Sequence, residues 1–130
     1  MDWSKDVKKT LAILVMGAAL SGCVSNKALD VIAKPTNYDG YWAANGGGHV
    51  INWYIRPDGT GVQCEVNSLT LTGSPLVFDL KVIDQTVYVN NTYQLKRSGP
   101  DSFNAATWGG VFSLDFKRQR YSPAACKPYF

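Results

Sequence analysis

The sequence is poor in the residues that metal centres and most enzyme active sites need. It contains one histidine, His49, and three cysteines in 130 residues. A transition-metal site needs several suitably spaced ligands, and a histidine base needs a nucleophile and an orienting group beside it. The carboxylates Asp79, Asp115 and Glu65 are predicted on the outward faces of alternating strands, which does not favour a glycosidase pair. We therefore expect no metal, no cofactor and no enzymatic activity.

The sequence also lacks a long apolar run and a strong charge. The uncharged apolar run Leu11–Leu20 has ten residues, whereas a membrane-spanning helix needs about 20. Residues 1–22 hold three basic and two acidic side chains, so ten basic and eight acidic ones remain after them. A net charge of about +2 is not the basic footprint of a nucleic-acid-binding domain. We expect neither a spanning helix nor a nucleic-acid partner.

The N-terminus has the pattern of an export signal. Lys5, Lys8 and Lys9 precede the apolar run, which ends in Leu20-Ser21-Gly22-Cys23. This tetrapeptide resembles the lipobox of bacterial lipoproteins, in which an aliphatic residue and two small residues precede the acceptor cysteine. The resemblance implies cleavage before Cys23, followed by acylation of its sulfur and of its new amino group.

The same resemblance predicts how the chain is organised. Residues 1–22 would be the signal peptide, residues 23–37 the lipidated N-terminus and tether, and residues 38–130 a single β domain. Such a protein is expected in the cell envelope, held to the membrane by its N-terminal lipid. Val24 follows the acceptor cysteine, where an aspartate usually retains lipoproteins in the inner membrane of enteric bacteria. By analogy, we expect the outer membrane.

From Tyr38 onwards, short runs rich in Val, Ile, Thr and aromatic residues alternate with Gly, Asn, Asp and Pro. This composition is typical of consecutive β-strands. The clearest unit is a hairpin with arms at His49–Arg56 and Val62–Asn67, joined through the turn Pro57-Asp58-Gly59. A further short strand is predicted at Leu69–Thr72. About seven or eight strands at roughly 8–12-residue spacing predict an all-β fold, a small antiparallel meander closed into a barrel or a sandwich.

Two cysteines, Cys64 and Cys126, follow the signal. Because the exported compartment is oxidising, we expect a disulfide between them, the alternative being two separate buried thiols. Cys64 alternates with polar residues in step with Val62 and Val66, which predicts that all three point into the core. A later strand alternates in the same way, with four residues predicted inward: Leu76, Phe78, Leu80 and Val82.

The candidate binding surface combines aromatic and basic residues. Trp53 and Tyr54 are adjacent on one strand, so they face opposite sides, and we expect one of them to be exposed or covered by a partner. The basic segment 117–121 suits an anionic headgroup, a lipopolysaccharide phosphate or an acidic partner. The predicted surface consists of seven residues: His49, Trp53, Tyr54, Lys117, Arg118, Arg120 and Tyr121.

Two further resemblances concern the β domain. Gly40-Tyr41-Trp42, followed by a strand and then by Asp58-Gly59-Thr60-Gly61, is similar to the opening of lipocalin-like barrels. That resemblance implies a carrier, which needs a barrel hollow enough for a small apolar ligand. A lipobox-bearing β-barrel with one disulfide also resembles the membrane-bound C-type lysozyme inhibitors, whose Ser-Gly loop corresponds to Ser98-Gly99, although the tyrosine expected after it is absent.

Large aromatic residues pointing inward would fill such a barrel rather than leave it hollow. The sequence therefore favours a non-enzymatic interaction module that binds an envelope protein or a glycan. A lipocalin-like carrier of a small apolar ligand and a protein similar to the lysozyme inhibitors are the alternatives.

Overall fold

The computed structural model describes residues 26–69 and 74–130, which form a closed antiparallel β-barrel. Its strands are β1 (Gly40–Asn45), β2 (His49–Ile55), β3 (Thr60–Asn67), β4 (Leu76–Ile83), β5 (Thr86–Tyr88), β6 (Thr92–Gly99), β7 (Ser102–Thr107) and β8 (Ser113–Gln119). Each strand pairs with the next along the chain, and β8 pairs with β1. This confirms the all-β meander and shows that it is a barrel and not a sandwich.

The helical segments in this part of the chain are short 3-10 turns, and none is long and apolar enough to cross a membrane. The predicted signal peptide and Cys23 lie outside the described residues, as do residues 70–72 of the strand predicted at Leu69–Thr72.

The predicted hairpin is confirmed as β2 and β3, which pair antiparallel from His49↔Asn67 to Ile55↔Gly61. In its turn, one carboxylate oxygen of Asp58 accepts hydrogen bonds from the amide (2.9 Å) and the hydroxyl (2.6 Å) of Thr60. These two bonds hold the pKa of Asp58 below its usual value, and the bond from the Thr60 hydroxyl has the larger effect. The carboxylate therefore has a structural part in the turn.

The connections between strands define two ends of the barrel. Three turns, at residues 56–59, 84–85 and 100–101, lie at one end, which we call the strap end. Four connections begin and end at the other, namely residues 46–48, 68–75 (described at 68–69 and 74–75), 89–91 and 108–112. None of these four contains Asp, Glu, Lys or Arg, and we call this end the uncharged end.

The N-terminal segment, residues 26–39, runs outside β4 and then across the strap end. The amide of Lys27 donates to the carbonyl oxygen of Val89 (2.7 Å), and that of Lys34 donates to Val82 (3.0 Å). Lys81 Nζ donates to the carbonyl oxygen of Val31 (2.8 Å). The part of the predicted tether that the structure describes is thus packed on the barrel as a strap.

The contact between the strap and the β2–β3 turn can be tested by substitution of Gly59. Gly59 has a φ of +88°, and a Cβ there would collide with the carbonyl oxygen of Lys34. We expect Gly59→Ala to lower the free energy of unfolding, measured in urea, by more than about 1 kcal/mol. Gly110→Ala is the control, because Gly110 has a φ of +71° with nothing within 4 Å. Equal losses in both variants would contradict the strap contact.

The interior of the barrel is filled with aromatic rings. Trp53 stacks on Phe116 with ring centres 4.1 Å apart and meets the edge of Tyr93 at 5.4 Å. Phe103 lies 5.2 Å from Phe116 and 4.6 Å from Trp42. Rings at these spacings are in van der Waals contact, so no ligand fits between them.

Strand β3 turns its apolar face outward, so the predicted orientation of Val62, Cys64 and Val66 is wrong. Gln63 lies opposite Trp53 in the β2–β3 register and shares its inward face. Successive residues of a strand point to opposite faces, so Cys64 lies on the outer wall. Inside the barrel, Gln63 is buried and accepts a hydrogen bond from the indole nitrogen of Trp53 at 2.8 Å.

The outward face of β3 is buried because the C-terminal segment covers it. Cys64 and Cys126 form the predicted disulfide, with their Cα atoms 5.9 Å apart. Both cysteines are fully buried and form a second, smaller core together with Val66. The 3-10 segment Ala124–Tyr129 supplies this cover. The barrel thus has one core inside the sheet and another outside β3.

On other strands, most side chains predicted to point inward or outward do so in the structure. Phe78, Leu80 and Val82 of β4 belong to or pack against the inner core, as predicted. Asp115 points outward and accepts a hydrogen bond from the side chain of Asn104 at 3.0 Å. Glu65 is the exception, because it lies opposite Ile51 and therefore on the inward face.

Candidate binding surface

The structure separates the seven residues of the predicted binding surface into different environments. Trp53 is completely buried at the centre of the barrel, so its assignment as a surface contact is corrected. Tyr54, its neighbour on β2, lies on the outer wall and is half-buried. The alternation of side chains along a strand separates the two residues, as predicted.

The assignment of Arg118 to the binding surface is also corrected, because this arginine fastens the strap to the barrel. We call it the clamp. It follows Leu114 and Phe116 at a spacing of two, which places it on the inward face of β8. Its guanidinium lies 4.3 Å from the ring centre of Trp42 and pairs with Asp101 at 2.8 Å. It also donates to the carbonyl oxygen of Asp39 at 3.1 Å.

A second arginine acts in the same way at the strap end. Arg97 lies 4.3 Å from the ring centre of Tyr38 and donates to the carbonyl oxygen of Asn37 at 2.6 Å. The indole nitrogen of Trp42 donates to the carbonyl oxygen of Tyr38 at 2.8 Å. Arg97 and Arg118 therefore fasten the strap over the barrel, a role that the sequence analysis did not predict.

His49 and Lys117 lie apart from the remaining predicted residues. His49 is exposed at the start of β2, at the uncharged end. Tyr54 follows five residues later, about 17 Å further along the strand. Lys117 points outward on β8 beside Asp115, in a cleft of about 520 Å³ that also includes Ala43.

Arg120 and Tyr121 share a cleft with residues of β1 and of the C-terminal segment. Its volume is about 230 Å³, and six residues line it: Tyr41, Arg120, Tyr121, Ser122, Lys127 and Phe130. We call it the aromatic cleft. It lies on the outer wall, where β8 has ended and the chain turns back towards β3.

Stacked rings form the floor of the aromatic cleft. Tyr41 and Tyr54 are cross-strand partners whose rings stack with centres 4.7 Å apart. The ring of Phe130 lies 5.6 Å from Tyr41 and 5.5 Å from Tyr54. The guanidinium of Arg56 lies over the ring of Tyr54, 5.2 Å from the ring centre. Tyr41 was not predicted as a site residue, because only the β1–β2 register places it beside Tyr54.

The rim of the aromatic cleft is positively charged and accessible. The side chains of Arg120 and Lys127 are exposed, and Tyr121 has 80% of its surface exposed. Neither cation has an ion-pair partner among the residues that the structure describes. A cleft with a ring floor and free cations is suited to an anionic group carried by a partner with a flat or apolar surface.

Charge reversal distinguishes the structural role of Arg118 from the surface position of Arg120. Arg118→Glu should lower the free energy of unfolding by about 2 kcal/mol, because it removes the cation over Trp42 and places a carboxylate beside Asp101. Arg120→Glu should change it by less than about 0.5 kcal/mol. Urea unfolding of both variants measures this difference. A comparable loss in Arg120→Glu would contradict the assignment of this arginine to a free surface.

The phenol of Tyr93 is a further polar group beside the aromatic core inside the barrel. Burial raises the pKa of Tyr93 and the charge of Glu65 raises it further, while a hydrogen bond with the side chain of Asn91 lowers it. Tyr93 is 3% exposed, and its ring packs on Trp53. The phenol therefore stays protonated and packed in the core.

The structure is thus a closed eight-stranded antiparallel barrel crossed at one end by an N-terminal strap. No family model and no curated protein matches the sequence. Among solved structures, the chain is similar to a lipocalin lipoprotein affecting virulence in Streptococcus pneumoniae, with a TM-score of 0.55 and 16% identity, over 67% of this chain and 98% of that one. Lipoprotein YedD from Klebsiella pneumoniae is similar with a TM-score of 0.55 and 14% identity, over 79% of this chain and 91% of that one.

Proposed function

We propose that this protein is a lipid-anchored envelope lipoprotein whose β-barrel binds an acidic partner in the aromatic cleft. The lipobox at Leu20–Cys23 supports acylation of Cys23, and Val24 after it supports the outer membrane. The likeness in fold to bacterial lipoproteins agrees with this assignment. The protein acts as a binding module and not as an enzyme.

The single observation that carries the proposal is the filled interior. A carrier of the lipocalin type holds its ligand inside the barrel. Here Trp53, Phe103 and Phe116 are fully buried and in mutual contact at the centre. Binding is therefore assigned to the outer wall, where the aromatic cleft combines accessible rings with unpaired cations.

The partner class follows from the chemistry of the cleft. Arg120 can form bidentate hydrogen bonds with a carboxylate or a phosphate, and Lys127 adds a second cation. The rings of Tyr41 and Phe130 offer an apolar surface beside those charges. An acidic segment of an envelope protein carries both features, and we name it as the partner.

The proposal is tested by crosslinking in cells of the native host. A photo-reactive benzoylphenylalanine in place of Tyr121 should form an adduct with a discrete envelope protein. Arg120→Glu should reduce that adduct at least about tenfold, because it replaces an attraction by a repulsion. Lys96→Glu is the matched control, since it reverses one exposed charge on β6, two strands away from β8 in the barrel.

Two results would contradict the proposal. One is the absence of any adduct at Tyr121 when the protein is correctly localised. The other is an equal loss of the adduct in Arg120→Glu and in Lys96→Glu, which would show that the overall charge, and not the cleft, determines binding.

A further inference from the structure

The two ends of the barrel differ in charge. Arg56, Asp58, Asp84 and Asp101 lie in the turns of the strap end, whereas the four connections of the uncharged end contain no charged residue. Soluble proteins normally place charges in exposed loops, because these groups are strongly hydrated. A complete set of uncharged loops at one end therefore indicates an environment other than bulk water.

The uncharged end also exposes large apolar side chains. Leu69 and Val111 have 91% of their surface exposed, Leu76 has 55%, and Phe112 has 45%. They account for four of the eight large hydrophobic residues that are exposed in the described part of the chain. Leu69 belongs to the β3–β4 connection and Leu76 is the first residue after it, whereas the other two belong to the β7–β8 connection on the opposite side of the barrel.

The described part of the N-terminal strap begins within reach of the same end. Asn26 donates through its side chain to the carbonyl oxygen of Asp79 at 2.6 Å, and the next residue is bonded to Val89. Val89 belongs to the β5–β6 connection of the uncharged end. Asn26 is three positions after Cys23 in the sequence, a path of at most about 11 Å. Asp79 is three residues from Leu76 along β4, about 10 Å, so a lipid on Cys23 is within reach of a membrane at this end.

From these observations we infer that the uncharged end of the barrel docks on the lipid bilayer that holds the acyl chains. Uncharged loops with leucine, valine and phenylalanine side chains enter the boundary between headgroups and acyl chains at little cost. The strap end and the aromatic cleft then face away from the membrane. The inference rests on the acylation in the proposed function and adds to it the orientation of the barrel.

Depth-dependent fluorescence quenching tests this orientation. The acylated full-length protein is labelled with an environment-sensitive fluorophore at Val111→Cys or, as control, at Pro100→Cys in the exposed β6–β7 turn. It is reconstituted into vesicles of phosphatidylethanolamine and phosphatidylglycerol. We expect the label at position 111 to shift to the blue and to be quenched by nitroxide lipids. The label at position 100 should be quenched by aqueous iodide.

A charged substitution provides a second test. Leu76→Asp should reduce lipid quenching of the label at position 111. Ile32→Asp should leave the quenching unchanged, because Ile32 is an exposed residue of the strap between its bonds to β4.

The outcomes distinguish docking from anchoring. Pelleting of the protein with vesicles reports the lipid anchor alone, and its absence would contradict the proposed acylation. If the protein pellets but both labels are equally open to iodide, the docking is wrong while the anchor stands. A blue shift at position 111 without quenching by nitroxide lipids would also overturn the docking, because it would mean that a second copy of the chain, and not the bilayer, covers this end.

Discussion

Removal of the Cys64–Cys126 disulfide is expected to lower the free energy of unfolding by about 4 kcal/mol, on the chain-entropy estimate for a long loop. The bridge joins residues 62 positions apart and fastens the C-terminal segment over β3. Without it, the unfolded chain gains conformations, and the outer core loses its covalent link. The double variant Cys64→Ser/Cys126→Ser removes the bridge without leaving a free thiol, and urea unfolding measures the loss.

The same variant should weaken the aromatic cleft before the barrel unfolds. Phe130 follows Cys126 by four residues and forms part of the ring floor with Tyr41. We expect the far-ultraviolet circular dichroism of the barrel to persist while the crosslink from position 121 is reduced. A variant with unchanged stability and an unchanged crosslink would contradict the role of the C-terminal segment.

Replacement of Trp53 by alanine should cost about 3–5 kcal/mol, the range for large aromatic side chains removed from a core. Trp53 is fully buried and touches Phe116 and Tyr93. Its loss also leaves the buried amide of Gln63 without the indole donor. Thermal and urea unfolding measure the effect, and the resulting cavity should bind an apolar dye that the unaltered barrel excludes.

Trp53→Phe is the matched control for this prediction. It retains a ring at the centre but removes the N–H group, so it separates the loss of packing from the loss of the hydrogen bond to Gln63. We expect it to cost less than Trp53→Ala and to bind no dye. Dye binding by the unaltered protein at the level of Trp53→Ala would mean that the interior is already open.

Much of the fold follows from the sequence, because local turn chemistry and alternation act over a few residues. The Pro57-Asp58-Gly59 turn predicted the β2–β3 hairpin, and the strand pattern predicted the closed meander. The orientation of β3 did not follow. Alternation shows that Cys64 and Gln63 face opposite sides, but the apolar side is the inner one only if nothing covers the outer wall. Here the C-terminal segment covers it, and that contact spans 62 residues.

The candidate binding surface was predictable in part. Alternation correctly separated Trp53 from Tyr54, and the basic segment contributed Arg120 and Tyr121 to the aromatic cleft. Arg118 was assigned to the surface because it lies in a run of charges. Its spacing from Phe116 places it on the inward face, where it packs on Trp42. The pairing of Tyr41 with Tyr54 depends on the register of two strands, which no local pattern of residues specifies.

The central claim is that the barrel is filled and that binding occurs outside it. Native mass spectrometry of the protein purified from the membranes of its own host tests this most directly. We predict the mass of the acylated chain, with an acidic protein partner that is lost in Arg120→Glu, and no small molecule released on denaturation. A stoichiometric small apolar molecule, released only when the barrel unfolds, would contradict the claim and establish a carrier.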